Sequence, residues 1–118
     1  MAIKIAANGR PAFQGDVSVR SVEQLPAGAV QQAKGDVVVV AHSETGHDHV
    51  ATGKFDVFEV PGDPMRMFLV ARAGVTIEHR RSFDTHETFQ LDSGGSEVIW
   101  EIGRQREWAP EGWRRVED

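Results

Sequence analysis

The sequence contains no cysteine, which excludes disulfides, thiolate-bound metals, iron–sulfur clusters and cysteine nucleophiles together. Long apolar runs are missing as well. No uninterrupted run exceeds that of residues 37–41, far short of the roughly 20 residues of a membrane-spanning helix. The N-terminus has neither the apolar stretch nor the basic flank of a secretion signal. No membrane partner is expected, and the expected compartment is the cytoplasm. The usual catalytic signatures are also lacking. Ser43, Ser82, Ser93 and Ser96 sit in no G-x-S-x-G context, and neither a P-loop nor a dinucleotide-binding glycine pattern occurs. No motif assigns a catalytic residue.

Positive charge is scarce in the middle of the chain. Residues 36–103 hold twelve acidic and five basic side chains, the first 35 residues two and four, and the last 15 four of each, for a net charge of -5. Nucleic-acid binders displace phosphate counterions with a basic surface, so DNA and RNA are disfavoured partners.

What is present is a soluble, globular composition, 40% hydrophobic and 26% charged over 118 residues, enough for one domain with a modest core. Short apolar or alternating runs are broken by glycine, proline and aspartate every 8–12 residues or so. The pattern predicts strands over 16–22, 37–41, 55–60, 65–72, 75–79, 88–91 and 97–102. Turn chemistry lies between them at Pro26 to Gly28, Gly35-Asp36, Pro61-Gly62-Asp63-Pro64, Ala73-Gly74 and Asp92-Ser93-Gly94-Gly95. Helical spacing occurs only over 22–33, where Pro26 and Gly28 oppose it. Seven short strands without a crossover helix predict an all-β fold, a small antiparallel β-sandwich or barrel, with a jelly-roll-like barrel among the options.

Both ends read as extended arms around this domain, an N-terminal arm over 1–15 and a C-terminal tail over 104–118, with the β domain over 16–103. Asn8-Gly9-Arg10-Pro11 suits no regular element. The tail gathers Arg104, Arg106, Trp108, Trp113, Arg114 and Arg115 around Ala109-Pro110-Glu111-Gly112. Tryptophan and arginine dominate interface hot spots, so these six are candidate partner-binding residues. The alternative is that the tryptophans fold back over one end of the sheet while the arginines pair with the acidic middle.

All five histidines fall between positions 42 and 86. In His42-Ser-Glu-Thr-Gly-His47-Asp-His49, an extended chain would point His47 and His49 to the same side, where both imidazoles can meet one cation. His42 and Glu44 can fold back across Thr45-Gly46. His86 is the distant candidate, because a strand burying Phe89 and Leu91 leaves it on the other face. His79 shares parity with Val75 and Ile77 and is expected to be a structural core histidine. The candidate metal ligands are therefore His42, His47, His49 and His86, for one divalent ion such as zinc, nickel, manganese or iron. The alternative is a polar hairpin loop with no ligand. The HxH spacing of a cupin is present, but the glutamate that should follow is replaced by Val50-Ala-Thr-Gly-Lys54. Asp84 and Glu87, flanking His86, would serve as acid or base only beside a metal-bound water.

Three segments together resemble a group of small bacterial, phage and prophage proteins: His42-Ser-Glu-Thr-Gly-His47-Asp-His49, Arg81-Ser-Phe-Asp-Thr-His86-Glu, and Gln105-Arg-Glu-Trp-Ala-Pro-Glu-Gly-Trp-Arg-Arg-Val-Glu-Asp118. Their shared pattern is T-G-H-x-H, then T-H-E, then Q-R-E-[YW]-x-P with R-R-V-x-D. The resemblance covers most of the chain after position 35 and implies a phage-related setting, without an activity. Small acidic β domains with arms in that setting are typically structural, which gives the first expectation. It is a non-enzymatic, self-associating capsid cement or decoration protein, virion-associated, with the major capsid protein or another virion protein as partner. The second expectation is a divalent-metal-binding protein or metal-dependent hydrolase using the His42–His49 cluster and His86. A third is a small adaptor that binds through Trp108 and Trp113. No complete catalytic set assembles from sequence alone, which ranks the non-enzymatic expectation ahead.

Overall fold

The computed structural model describes residues 2–14, 17–41, 48–80, 85–104, 106–109 and 112–115. Their strands in chain order are β1 (Ala2–Ala6), β2 (Ala12–Gln14), β3 (Val17–Val22), β4 (Val30–Ala41), β5 (His49–Val60), β6 (Asp63–Ala71), β7 (Val75–Arg80), β8 (Thr85–Asp92), β9 (Val98–Arg104), β10 (Arg106–Ala109) and β11 (Gly112–Arg115). The described residues contain no helix. None is therefore available that is long and apolar enough to cross a membrane.

Nine strands form one nearly closed, barrel-like sheet in the order β1-β8-β7-β5-β6-β9-β3-β2, with β4 added against β5. The bend lies in β5. Its first half, His49 to Thr52, pairs with β7, and its second half, Phe55 to Val60, pairs with β6, while β4 runs antiparallel along the opposite side of both. Gly53 sits at the changeover with φ 145°, a conformation that a side chain rarely adopts. A Cβ there would also lie 3.1 Å from the Gly74 carbonyl oxygen, a backbone atom with little room to yield. Gly53→Ala is therefore expected to lower stability by about 2 kcal/mol, from the strained φ alone. Chemical denaturation of the two proteins checks this.

Alternation sets the core. Val17 and Val19 of β3, Val57 of β5, Leu69 of β6, Trp100 and Ile102 of β9, and Ile77, Phe89 and Leu91 from the β7–β8 side all point inward and are buried. The largest fully buried side chain is Trp100, which lies beside Leu69 and Ser21 in register. Its indole Nε1 is buried with no hydrogen-bond partner among the described residues.

The strands predicted over 16–22, 55–60, 65–72, 75–79, 88–91 and 97–102 all appear, several of them longer than the apolar pattern suggests. β4 shows why. Its apolar half, 37–41, is legible, but Val30, Gln31 and Gln32 are exposed, so their strand conformation comes from pairing with β5 rather than from burial. The stretch with helical spacing contains a turn closed by Ala29 N–H donating to the Pro26 carbonyl, followed by the start of β4. At the N-terminus, Ala2–Ala6 pairs in parallel with β8, from Ala2 opposite Thr88 to Ala6 opposite Asp92. It is a mostly exposed edge strand, from which Ile5 packs against the core.

Candidate functional site

Two features outside the apolar core carry chemistry: a buried polar cluster at one end of β5, and a hairpin at the C-terminus. The cluster begins with Gln14, the last residue of a three-residue strand, whose side chain is completely buried. Alternation along β2 turns Ala12 and Gln14 inward and leaves Phe13 53% exposed, the reverse of what hydrophobicity favours. Gln14 crosses to the opposite part of the sheet, where its Nε2 donates to the Ile77 carbonyl at 3.0 Å. Its Oε1 lies 2.8 Å from His49 Nδ1.

These two contacts fix the histidine tautomer. The amide nitrogen of Gln14 is committed to a carbonyl, so the oxygen is what faces His49, and an amide oxygen can only accept. His49 therefore carries its proton on Nδ1, and its Nε2 bears the lone pair when the ring is neutral. The His49 ring stacks on His79, with centroids 4.1 Å apart and planes 16° from parallel. Both residues are buried, His49 fully and His79 to 3% exposure. In-plane lone pairs on near-parallel rings do not converge, so His49 and His79 in this arrangement do not ligate one ion together.

His49 of β5 is in register with His79 of β7, and His79 with His86 of β8, so three histidine positions form a row across adjacent strands. A register shift between Glu78 and His79 adds a residue on the β8 side just there. Such bulges re-aim side chains and often lie beside sites. Of the other sequence candidates, His42, Glu44, His47 and Asp84 lie outside the described residues. Among the described residues no group of three or more histidine or carboxylate side chains is placed to hold a metal.

The second feature is the β10–β11 hairpin, a separate two-stranded sheet. Its register sets Arg106 opposite Arg115, Glu107 opposite Arg114, Trp108 opposite Trp113 and Ala109 opposite Gly112. Positions 106, 108, 113 and 115 thus share one face of the ribbon, with the tryptophan positions between the arginine positions. Arg104 ends β9, opposite Val17.

On the outer face of the main sheet, Glu101 bridges two arginines, with Arg20 Nε at 3.1 Å and Arg66 Nη1 at 3.5 Å. Arg66 also donates to Asp63 at 2.6 Å and lies over the Phe68 ring at 5.6 Å. The hydrogen bond to Asp63, with Glu101 adding to it, raises the pKa of Arg66 above its ordinary value. This network arranges a charged surface on that face.

A family model for DUF8820, a domain of unknown function, matches residues 13–105. The chain belongs to the DUF8820 family. No curated protein and no solved structure matches it. The DUF8820 match runs from within β2 to just past the end of β9. It thus includes the Gln14–His49–His79 cluster and leaves β1 and the β10–β11 hairpin outside.

Nothing in the sequence singles out Gln14, because a lone glutamine beside Phe13 reads as surface. The signal comes only from tertiary structure, where β5 and β7 bring the His49 Nδ1–H and the Ile77 carbonyl within reach of one amide. His79, by contrast, is where its parity with Val75 and Ile77 puts it.

Proposed function

We propose that this DUF8820 protein is a non-enzymatic, self-associating structural protein that reinforces or decorates a phage-related protein shell, with the C-terminal hairpin as its gripping arm. The observation that carries this is the hairpin itself. It pairs as its own two-stranded sheet, lies beyond the family match, and sets two tryptophan and two arginine positions on one face. An isolated two-stranded hairpin is marginal in water, so a ribbon of this composition is best stabilised by something to lie against. The resemblance of its closing segment to phage and prophage proteins supports a shell as that surface. Trp108→Ala/Trp113→Ala is expected to leave the main sheet folded and to remove the protein from purified particles of the phage or prophage that encodes it, whereas the wild type co-sediments with them. A double variant that stays with the particles at wild-type occupancy would defeat the proposal.

A second reading, a divalent-metal-binding protein or metal-dependent hydrolase, is favoured by one specific observation. Gln14 holds His49 in the tautomer that presents Nε2, the arrangement that metal-ligating histidines ordinarily show. His42, His47 and His86 would complete a set for zinc, nickel, manganese or iron, with Glu87 or Asp84 as base. His47→Ala/His49→Ala is then expected to abolish zinc or nickel binding in titration calorimetry. Unchanged stoichiometry in that variant would dispose of this reading.

A further inference from the structure

We propose that the outer edge of β4 is a homotypic interface, to which a second copy of this chain adds its own β4 in antiparallel orientation. Among the described residues β4 pairs with β5 alone, and at twelve residues it is long for an edge strand. Such an edge offers a row of backbone N–H and C=O groups that another strand can satisfy. Proteins that remain monomeric blunt these edges with lysine, proline or short length. Residues 37–41, Val-Val-Val-Val-Ala, contain neither lysine nor proline, and the one lysine of β4, Lys34, precedes them. Val37 is 62% exposed and Val30 47%, two of the four large hydrophobics most exposed among the described residues.

A second copy fits this edge because the segment is self-complementary. A two-fold axis through Val38 sets Val38 against its own copy and Val37 against Val39, so that over the regular stretch valines face one another and no like charges meet. Register shifts between Gly35 and Val37 and between Val39 and Ala41 bracket the regular stretch. The shared ladder is therefore short, and the contact is reversible. The inference rests on the structural reading only in taking the chain to self-associate. It assigns that task to the β4 edge and leaves the hairpin to grip the shell.

Sedimentation velocity of the full chain over a range of concentrations tests this, with Val37→Lys and Trp108→Ala/Trp113→Ala beside the wild type. Val37 is exposed, so Val37→Lys is expected to keep the wild-type circular dichroism and melting profile while weakening self-association at least tenfold. The tryptophan variant should self-associate as the wild type does. Wild-type association in a folded Val37→Lys protein would overturn the β4 edge while leaving self-association standing. A wild type that is monomeric at every concentration would overturn both.

Discussion

Truncation of Trp100 to alanine lowers the free energy of unfolding by about 3–5 kcal/mol, the range for emptying a large aromatic site in a packed core. Trp100 is completely buried where β6, β9 and β3 meet, so the neighbouring strands can close the gap only in part. Trp100→Phe separates two contributions. It leaves a smaller cavity, and it also removes an indole N–H that is buried without a partner among the described residues, a liability of about 1–3 kcal/mol. The phenylalanine variant is therefore expected to be much closer to wild type than the alanine variant in urea denaturation. Equal losses in the two would show that the indole nitrogen has a partner after all.

Gln14→Leu has the second largest expected effect. The shape is nearly conserved, but the His49 Nδ1–H and the Ile77 carbonyl each lose a hydrogen bond inside the protein. Two buried hydrogen bonds at up to about 1.5 kcal/mol each put the loss at about 3 kcal/mol, comparable to a core truncation although no apolar contact is removed. Because Gln14 ties the short strand β2 to β7 across the interior, hydrogen exchange is expected to quicken first in residues 12–14 and at Ile77. A variant as stable as the wild type would mean that the tie contributes nothing to closing the sheet.

The fold class is legible because most strands have one face in the core. In β3, β7 and β9 the buried residues, Val17 and Val19, Val75, Ile77 and His79, and Trp100 and Ile102, alternate with more exposed ones, and the period of two is plain. Legibility fails where a strand is held by its neighbours rather than by burial. β1 and the Val30–Gln32 start of β4 are largely exposed. Their backbones are ordered by ladders with β8 and β5, partners far away in sequence. β2 fails for a different reason, since it turns Phe13 out and Gln14 in.

The candidate site divides in the same way. Parity put His79 inside. Local alternation alone pairs His49 with His47 as ligands and does not reveal that β7 brings His79 against the His49 ring. Register across three strands then aligns His49, His79 and His86, a relation that no spacing along the chain encodes. The tryptophans and arginines of the tail were conspicuous by composition. That positions 106, 108, 113 and 115 share one face of a hairpin follows only from the 108–113 pairing.

Native mass spectrometry of the untagged, full-length protein tests the central claim most directly, since one spectrum reports both the number of chains and any retained metal. A structural, self-associating protein predicts a closed homo-oligomer with no stoichiometric transition metal. A monomer that holds one zinc, nickel, manganese or iron ion per chain would contradict it and move the histidine row to the centre of the protein's function.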